Sequence, residues 1–175
     1  MNQEELFKKA IGENHKMIYG ICLHFFGSND LAQDACQETL IKVWQNIKNF
    51  RGESKMSTWI SRIAANVCLT GIEKERRKSS LFTKLTPYAS YTDYYQNDKR
   101  EMDESETERI RFFNNFKERL NPLDRLLVSL YLEENDYKEI AQITGLSESN
   151  ARTRVHRIKN QIKKEWEEKY GTGRF

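Results

Sequence analysis

Apolar residues recur along this chain at helical spacing. Ile18, Ile21, Cys22 and Phe25 fall at i, i+3, i+4 and i+7, the signature of one buried helix face. Gly27, Ser28 and Asn29 interrupt the pattern, and Ser28 or Asn29 can cap the helix that follows. There Leu40, Val43, Trp44 and Ile47 repeat the spacing. A polar loop, 49–56, contains Gly52. Ser57 is positioned to cap a third helix, striped by Ile60, Ile63, Ala64 and Val67 and ending in the charged stretch 73–78.

Periodicity lapses over 79–105, which holds Pro87, several tyrosines and an acidic run, and this stretch reads as a flexible linker. Helical patterning then returns. Phe112, Phe113, Phe116 and Leu120 share a face. Asn121-Pro122 is a cap followed by proline at the first helical position, where a missing N–H costs nothing. Leu123, Leu126, Leu127 and Leu130 continue the stripe, and Asp136 with Glu139 has capping-box spacing. Ile140, Ala141 and Ile143 belong to a short helix ended by Gly145. Ser147 caps a last helix, with Val155, Ile158 and Ile162 facing inward. No strand pattern competes. The expected fold is all-α: two small helical domains, 1–79 and 107–175, joined by a flexible linker, 80–106.

Composition narrows the class. The chain has 175 residues, 38% hydrophobic and 31% charged, which suits a folded soluble protein. No apolar run approaches the ~20 residues of a membrane helix, so no membrane insertion is expected. Residues 1–9 carry Glu4 and Glu5 and do not read as a signal peptide. Cys22, Cys36 and Cys68 are far apart and lie within helical patterns, so they read as buried thiols in a reducing cytoplasm and not as metal ligands. His15, His24 and His156 do not cluster with a nucleophile, and no catalytic residue, metal or cofactor is expected.

The net charge is +3, but it is segregated. Residues 91–108 hold seven acids and two bases, whereas 151–164 hold six bases and no acid. A basic last helix after a short helix and a glycine turn has the layout of a helix-turn-helix. Asn150, Arg152, Thr153, Arg154 and Arg157 are expected nearest base edges, with Ser147 at the helix start and Lys159 nearer phosphates. A solvated basic face is the plain alternative.

The first half carries a longer motif series. It runs from Asp30 through Asp34, Gln37, Glu38 and Thr39 to Trp44, then Phe50-Arg51-Gly52-Glu53, then Ser57-Thr58-Trp59 through Arg62 to Asn66, then Arg76-Arg77-Lys78. This order resembles the second conserved region of the extracytoplasmic-function sigma factors. The second half resembles the fourth region of the same family.

The resemblance implies a promoter-specific initiation factor that catalyses nothing itself. It implies that Asp34, Gln37, Glu38 and Trp44 meet the clamp of the large subunit of core RNA polymerase, with the flap region a further contact. Phe50, Arg51, Ser57, Thr58, Trp59, Arg62 and Asn66 would capture and line the −10 element of promoter DNA, and Arg76, Arg77 and Lys78 would hold phosphates. The basic last helix would read the −35 element. An anti-sigma factor is the implied regulator. Core packing is the other reading of Trp44, Phe50 and Trp59. The chain departs from the family pattern at Leu40, where phenylalanine is common, at Thr70, where aspartate is usual, and at Glu73, where a base is usual. Two rivals use fewer of these motifs: a free-standing helix-turn-helix regulator and an RNA-binding adaptor.

Overall fold

The computed structural model describes residues 2–79 and 104–171, with side chains described for 2–74 and 105–171. The expected linker, apart from 104–106, lies outside the described residues. So do its acidic residues Asp93, Asp98, Glu101 and Asp103. Seven helices account for the described chain: α1 (Gln3–Phe26), α2 (Asn29–Asn46), α3 (Met56–Ser79), α4 (Glu104–Glu118), α5 (Pro122–Leu132), α6 (Tyr137–Thr144) and α7 (Glu148–Tyr170). A 3-10 turn, Ile47–Asn49, extends α2.

Local signals set most ends. Asn2 caps α1 through a capping box: its Oδ1 accepts from the Glu5 N–H at 2.8 Å, and the Glu5 carboxylate accepts from the Asn2 N–H at 3.1 Å. Gly27 stops α1 at φ 66°, a left-handed turn that glycine adopts without strain. Ser28 occupies the cap position of α2, but its side chain makes no capping bond. The third helix starts one residue before the expected cap. Ser57 lies inside its first turn, which the Trp59 N–H closes on the Lys55 carbonyl at 3.1 Å.

In the first half α1, α2 and α3 pack on one another. Ile18, Ile21, Cys22, Ala32, Val43, Ile60 and Ala64 fill the space between them. The second half builds α5, α6 and α7 around Leu126, Ile140, Ala151 and Val155. A smaller cluster of Phe116, Val128, Ile158 and Ile162 binds α4 to α7.

The two halves are not separate beads. Helix α5 packs on α1 and α3, and α6 packs on α3, so Leu126, Leu127, Leu130 and Ile143 belong to one core with the first half. Residues 20–23 of α1 are consecutively buried, because one side of the helix faces α2 and α3 while another faces α5. At Gly20 the Glu133 carboxylate lies so close that a Cβ would stand 2.0 Å from its Oε1. One turn on, His24 Nε2 is 3.2 Å from the same carboxylate. Polar stitches cross the seam elsewhere. Lys117 Nζ donates to the His24 carbonyl at 2.7 Å, Lys55 pairs with Glu139 at 2.8 Å, and Arg62 Nη2 donates to the Gln142 carbonyl at 2.7 Å.

The Lys117 stitch is sensitive to pH. Burial, helped by the neighbouring Arg125 guanidinium and opposed by Glu118, lowers its ammonium from 10.5 to about 7. Below pH 7 the group is charged in both folded and unfolded chains, and the folded state carries the full desolvation cost. Between pH 7 and 10.5 the unfolded chain keeps a proton that the folded chain has released, so stability rises with pH through this window. Urea unfolding midpoints should therefore climb from pH 7 to pH 9, and Lys117→Met should flatten that climb. An equal climb in the variant would rule out Lys117 as its source.

Candidate nucleic-acid interface

Three exposed surfaces carry the residues singled out from the sequence. The first lies on α2. Asp34, Gln37, Ile41 and Trp44 recur at i, i+3, i+7 and i+10, and all four are exposed. Ile41 is 57% exposed and Trp44 41%, which is unusual for side chains of this size. Trp44 leans edge-on against Phe7 at 5.2 Å, and its carbonyl accepts from Gln3 Nε2, so α1 holds it in place without covering it. Glu38 stands beside this stripe, 3.6 Å from Lys42 and 3.9 Å from Lys74. Ile41 was not singled out from the sequence. Its spacing seven residues from Asp34 is the signal that could have found it.

The second surface runs from the 3-10 turn along α3. Phe50 and Trp59 are tilted against each other with ring centroids 5.5 Å apart, both half-buried. They border two open concavities. One, of about 410 Å³ between α2 and α3, is lined by Lys42, Asn46, Asn49, Trp59, Asn66 and Thr70. The other, of about 530 Å³, is lined by Phe50, Arg51, Ser54, Trp59, Arg62 and, from the second half, Gln142. Aromatic walls beside amide and guanidinium donors suit an unstacked base.

One residue expected on this surface is covered in the packed chain. Thr58 is only 3% exposed: it shares a face with Arg62, four residues on, and α6 of the second half lies over it with Glu139 and Gln142. Ser57 is half-buried in the first turn. Arg51 and Asn66 are exposed. The side chains of Arg76, Arg77 and Lys78, at the end of α3, lie outside the described residues.

The third surface is the helix-turn-helix. Asp136 and Glu139 form a full capping box on α6, and Gly145 ends it at φ 77°. Ser147 Oγ accepts from the Asn150 N–H to start α7. Ala151, Val155, Ile158, Ile162 and Trp166 face inward, leaving Asn150, Thr153, His156, Arg157 and Asn160 on the open side. The basic residues of this helix are all held. Arg152 pairs with Glu148 at 2.9 Å and lies 4.6 Å over the Tyr137 ring. Arg154 and Arg157 both bind the Asp124 carboxylate. Lys159 Nζ donates to the Tyr131 hydroxyl at 3.1 Å, which raises its ammonium above the ordinary lysine range. Asp124, Tyr131 and Tyr137 were not singled out from the sequence, since their partners lie 15 to 33 residues away.

The cysteines sit in the first core. Cys68 Sγ lies 4.0 Å from Cys22 Sγ, and that contact with burial raises the Cys68 thiol well above its ordinary value. Burial pushes Cys36 up to about 11. All three are buried free thiols. Among the described residues no three His, Cys, Asp or Glu side chains are placed to hold a metal ion, and no helix is long and apolar enough to cross a membrane.

Comparison with known proteins matches the two halves separately. Residues 10–78 match the family model for Sigma-70 region 2, and residues 116–162 match that for Sigma-70, region 4. The ECF RNA polymerase sigma factor SigG of Mycobacterium tuberculosis is 44% identical over 57 residues, 33% of this chain and 15% of that protein's length. The ECF RNA polymerase sigma factor SigW of Bacillus subtilis is 26% identical over 167 residues, covering 93% of this chain and 89% of that protein. Among solved structures, the sigma factor RpoE from Bartonella quintana, determined in complex with the anti-sigma factor NepR, superimposes with TM-score 0.68 at 20% identity. That match covers 90% of this chain and 94% of the other, and shows a shared fold.

The turn of the third surface depends on backbone geometry at Gly145. Gly145→Ala forces a Cβ into the left-handed region and should destabilise the chain by about 1 kcal/mol, read as a lowered urea midpoint. No steric contact adds to this, since a Cβ there meets nothing within 4 Å. An unchanged midpoint would mean that the turn relaxes without cost.

Proposed function

The chain belongs to the sigma-70 family, with relatives named as ECF sigma factors, and from that premise we propose that it is a promoter-specific transcription initiation factor. In this reading it binds core RNA polymerase, recognises −35 and −10 elements and promotes DNA melting at the −10 element. It supplies binding surfaces, and the chemistry belongs to the polymerase. The observation that carries the reading is the pairing, in one chain and in this order, of a region 2 match with a region 4 match. A free-standing regulator would need only the second.

Each surface then has a task. The exposed stripe of α2 offers carboxylate, amide and apolar contacts to the polymerase clamp, with Trp44 as anchor. The Phe50–Trp59 wall and the concavities beside it take unstacked bases of the −10 element, with Arg51, Arg62 and Asn66 as donors and Arg76, Arg77 and Lys78 as phosphate contacts. Helix α7 enters the −35 major groove, its first turns against base edges and Lys159 nearer the backbone. The domains that follow from this division are 1–79 and 107–175, with 80–106 between them. The Bartonella neighbour was solved with an anti-sigma factor, and a partner of that kind covering these faces is part of the proposal here.

The packed arrangement is incompatible with holding both elements at once. By their names the elements are about 25 base pairs apart, roughly 85 Å of duplex at 3.4 Å per step. Arg62 on α3 touches Gln142 on α6, in the helix-turn-helix itself. The halves must part on the promoter. Residues 80–103 span at most about 85 Å when fully extended, which makes the connection long enough. Parting also frees Arg62 and Lys55, both tied to α6 in the closed chain.

The test is direct. The purified chain should form a one-to-one complex with bacterial core RNA polymerase, and changing Asp34, Gln37 and Glu38 together to alanine should weaken it by tenfold or more. Sequence-selective duplex binding by the chain alone, with no affinity for core polymerase, would transfer the proposal to a free-standing regulator.

A further inference from the structure

The carboxylate of Asp124 is the most heavily engaged acid in the second half. It stands in the first turn of α5, outside the helix-turn-helix, with its side chain only 4% exposed. Asn121 clamps it from both directions: Asn121 Oδ1 accepts from the Asp124 N–H at 2.9 Å, and Asn121 Nδ2 donates to Asp124 Oδ2 at 2.8 Å. Two arginines of α7, one turn apart, complete the set. Arg154 Nη1 donates to Oδ1 at 2.7 Å and Arg157 Nη2 to Oδ2 at 2.9 Å. A buried carboxylate with three side-chain donors has one low-energy orientation, because any rotation strands a charge in a poorly solvated place.

The two arginines differ in what they present outward. The Arg154 side chain is 32% exposed and packs between α5 and α7, so it suffices to staple the helices together. Arg157 is 63% exposed, yet one of its nitrogens is fixed on the same buried carboxylate. It stands on the open side of α7 with Asn150 and Thr153. A guanidinium has five donors in a rigid plane. With one committed to Asp124, others face outward, and a pair of parallel donors matches the N7 and O6 acceptors of a guanine edge. A fixed plane loses little freedom on binding and tolerates only one acceptor geometry, so it favours discrimination over general attraction.

Resting on the promoter-binding reading above, we propose that Asp124 is a positioning residue for promoter recognition: through the plane it imposes on Arg157, it sets base preference within the −35 element. Arg157 is the group that touches DNA. Asp124 acts through it, and Arg154 with Asn121 holds the carboxylate still.

The experiment uses holoenzyme assembled from core polymerase and the full chain, transcribing a promoter library randomised across the −35 element. Arg157→Ala should flatten preference at one or two adjacent positions by about tenfold. Asp124→Asn should flatten the same positions and leave the others sharp, and the double variant should be no flatter than Arg157→Ala alone. A uniform fall in output across all −35 sequences would reduce Asp124 to a helix staple and overturn the proposal, as would unchanged preference. If circular dichroism shows Asp124→Asn unfolded, Asp124→Glu carries the test. It keeps the charge but moves it by one methylene, and should shift preference at those positions, with no shift counting against the idea. Failure of the promoter reading itself looks different, because the unaltered holoenzyme would then show no −35 preference at all.

Discussion

Burial of one face of α5 against α1 and α3 is the contact on which the arrangement of this chain depends. Leu126, Leu127 and Leu130 are almost fully buried, and together with Ile18, Ile21 and Ile60 they make one core from two halves. Burying side chains of this kind is worth about 1.5–3 kcal/mol each, more than any exposed ion pair across the seam could supply. The polar stitches have another role. Glu133 against Gly20 and His24, Lys117 on the His24 carbonyl, and Arg62 on the Gln142 carbonyl fix register where the apolar contact alone would permit sliding.

That same seam carries a functional cost. It joins α6, part of the helix-turn-helix, to α3, whose exposed face bears Trp59, Arg62 and Asn66. A factor that reads two elements some 25 base pairs apart cannot remain closed while it does so. The closed chain therefore ties the first-half surface to the helix-turn-helix through Arg62 and Gln142, while the outer face of α7 stays open. Binding energy from polymerase and promoter must exceed the packing energy of α5 and α6 on the first half before both elements can be engaged.

Much of this was legible in the sequence, and the parts that were not share a cause. Helix positions followed from apolar spacing. The starts of α5, α6 and α7 and the end of α6 followed from Asn121-Pro122, Asp136 with Glu139, Ser147 and Gly145, all signals that act within four residues. Local reading failed where a cap competes with its neighbour. Ser57 looks like a cap, but Lys55 provides the carbonyl that closes the first turn of α3. Thr58 falls in a motif of polar and aromatic residues, yet α6 from the other half of the chain covers it. The seam was illegible because its partners are distant: Lys55 with Glu139, and Arg62 with Gln142, are separated by 80 residues or more. One hint was present, since Ile18 to Phe25 is too apolar for a helix buried on one side only. The clamp on the α7 arginines was hidden in the same way, because nothing near Arg157 announces a carboxylate in α5.

The measurement that bears most directly on this account is the distance between the halves in solution, free and engaged. Fluorophores on cysteines introduced at Lys48 and Asn160, both exposed, would report it, while the three native thiols stay buried. Energy transfer should be high in the free chain and fall sharply when core polymerase and promoter DNA are both added, with the probes moving apart by tens of ångströms. High transfer that persists in a transcribing complex would contradict the account, because the closed chain would then be the working one.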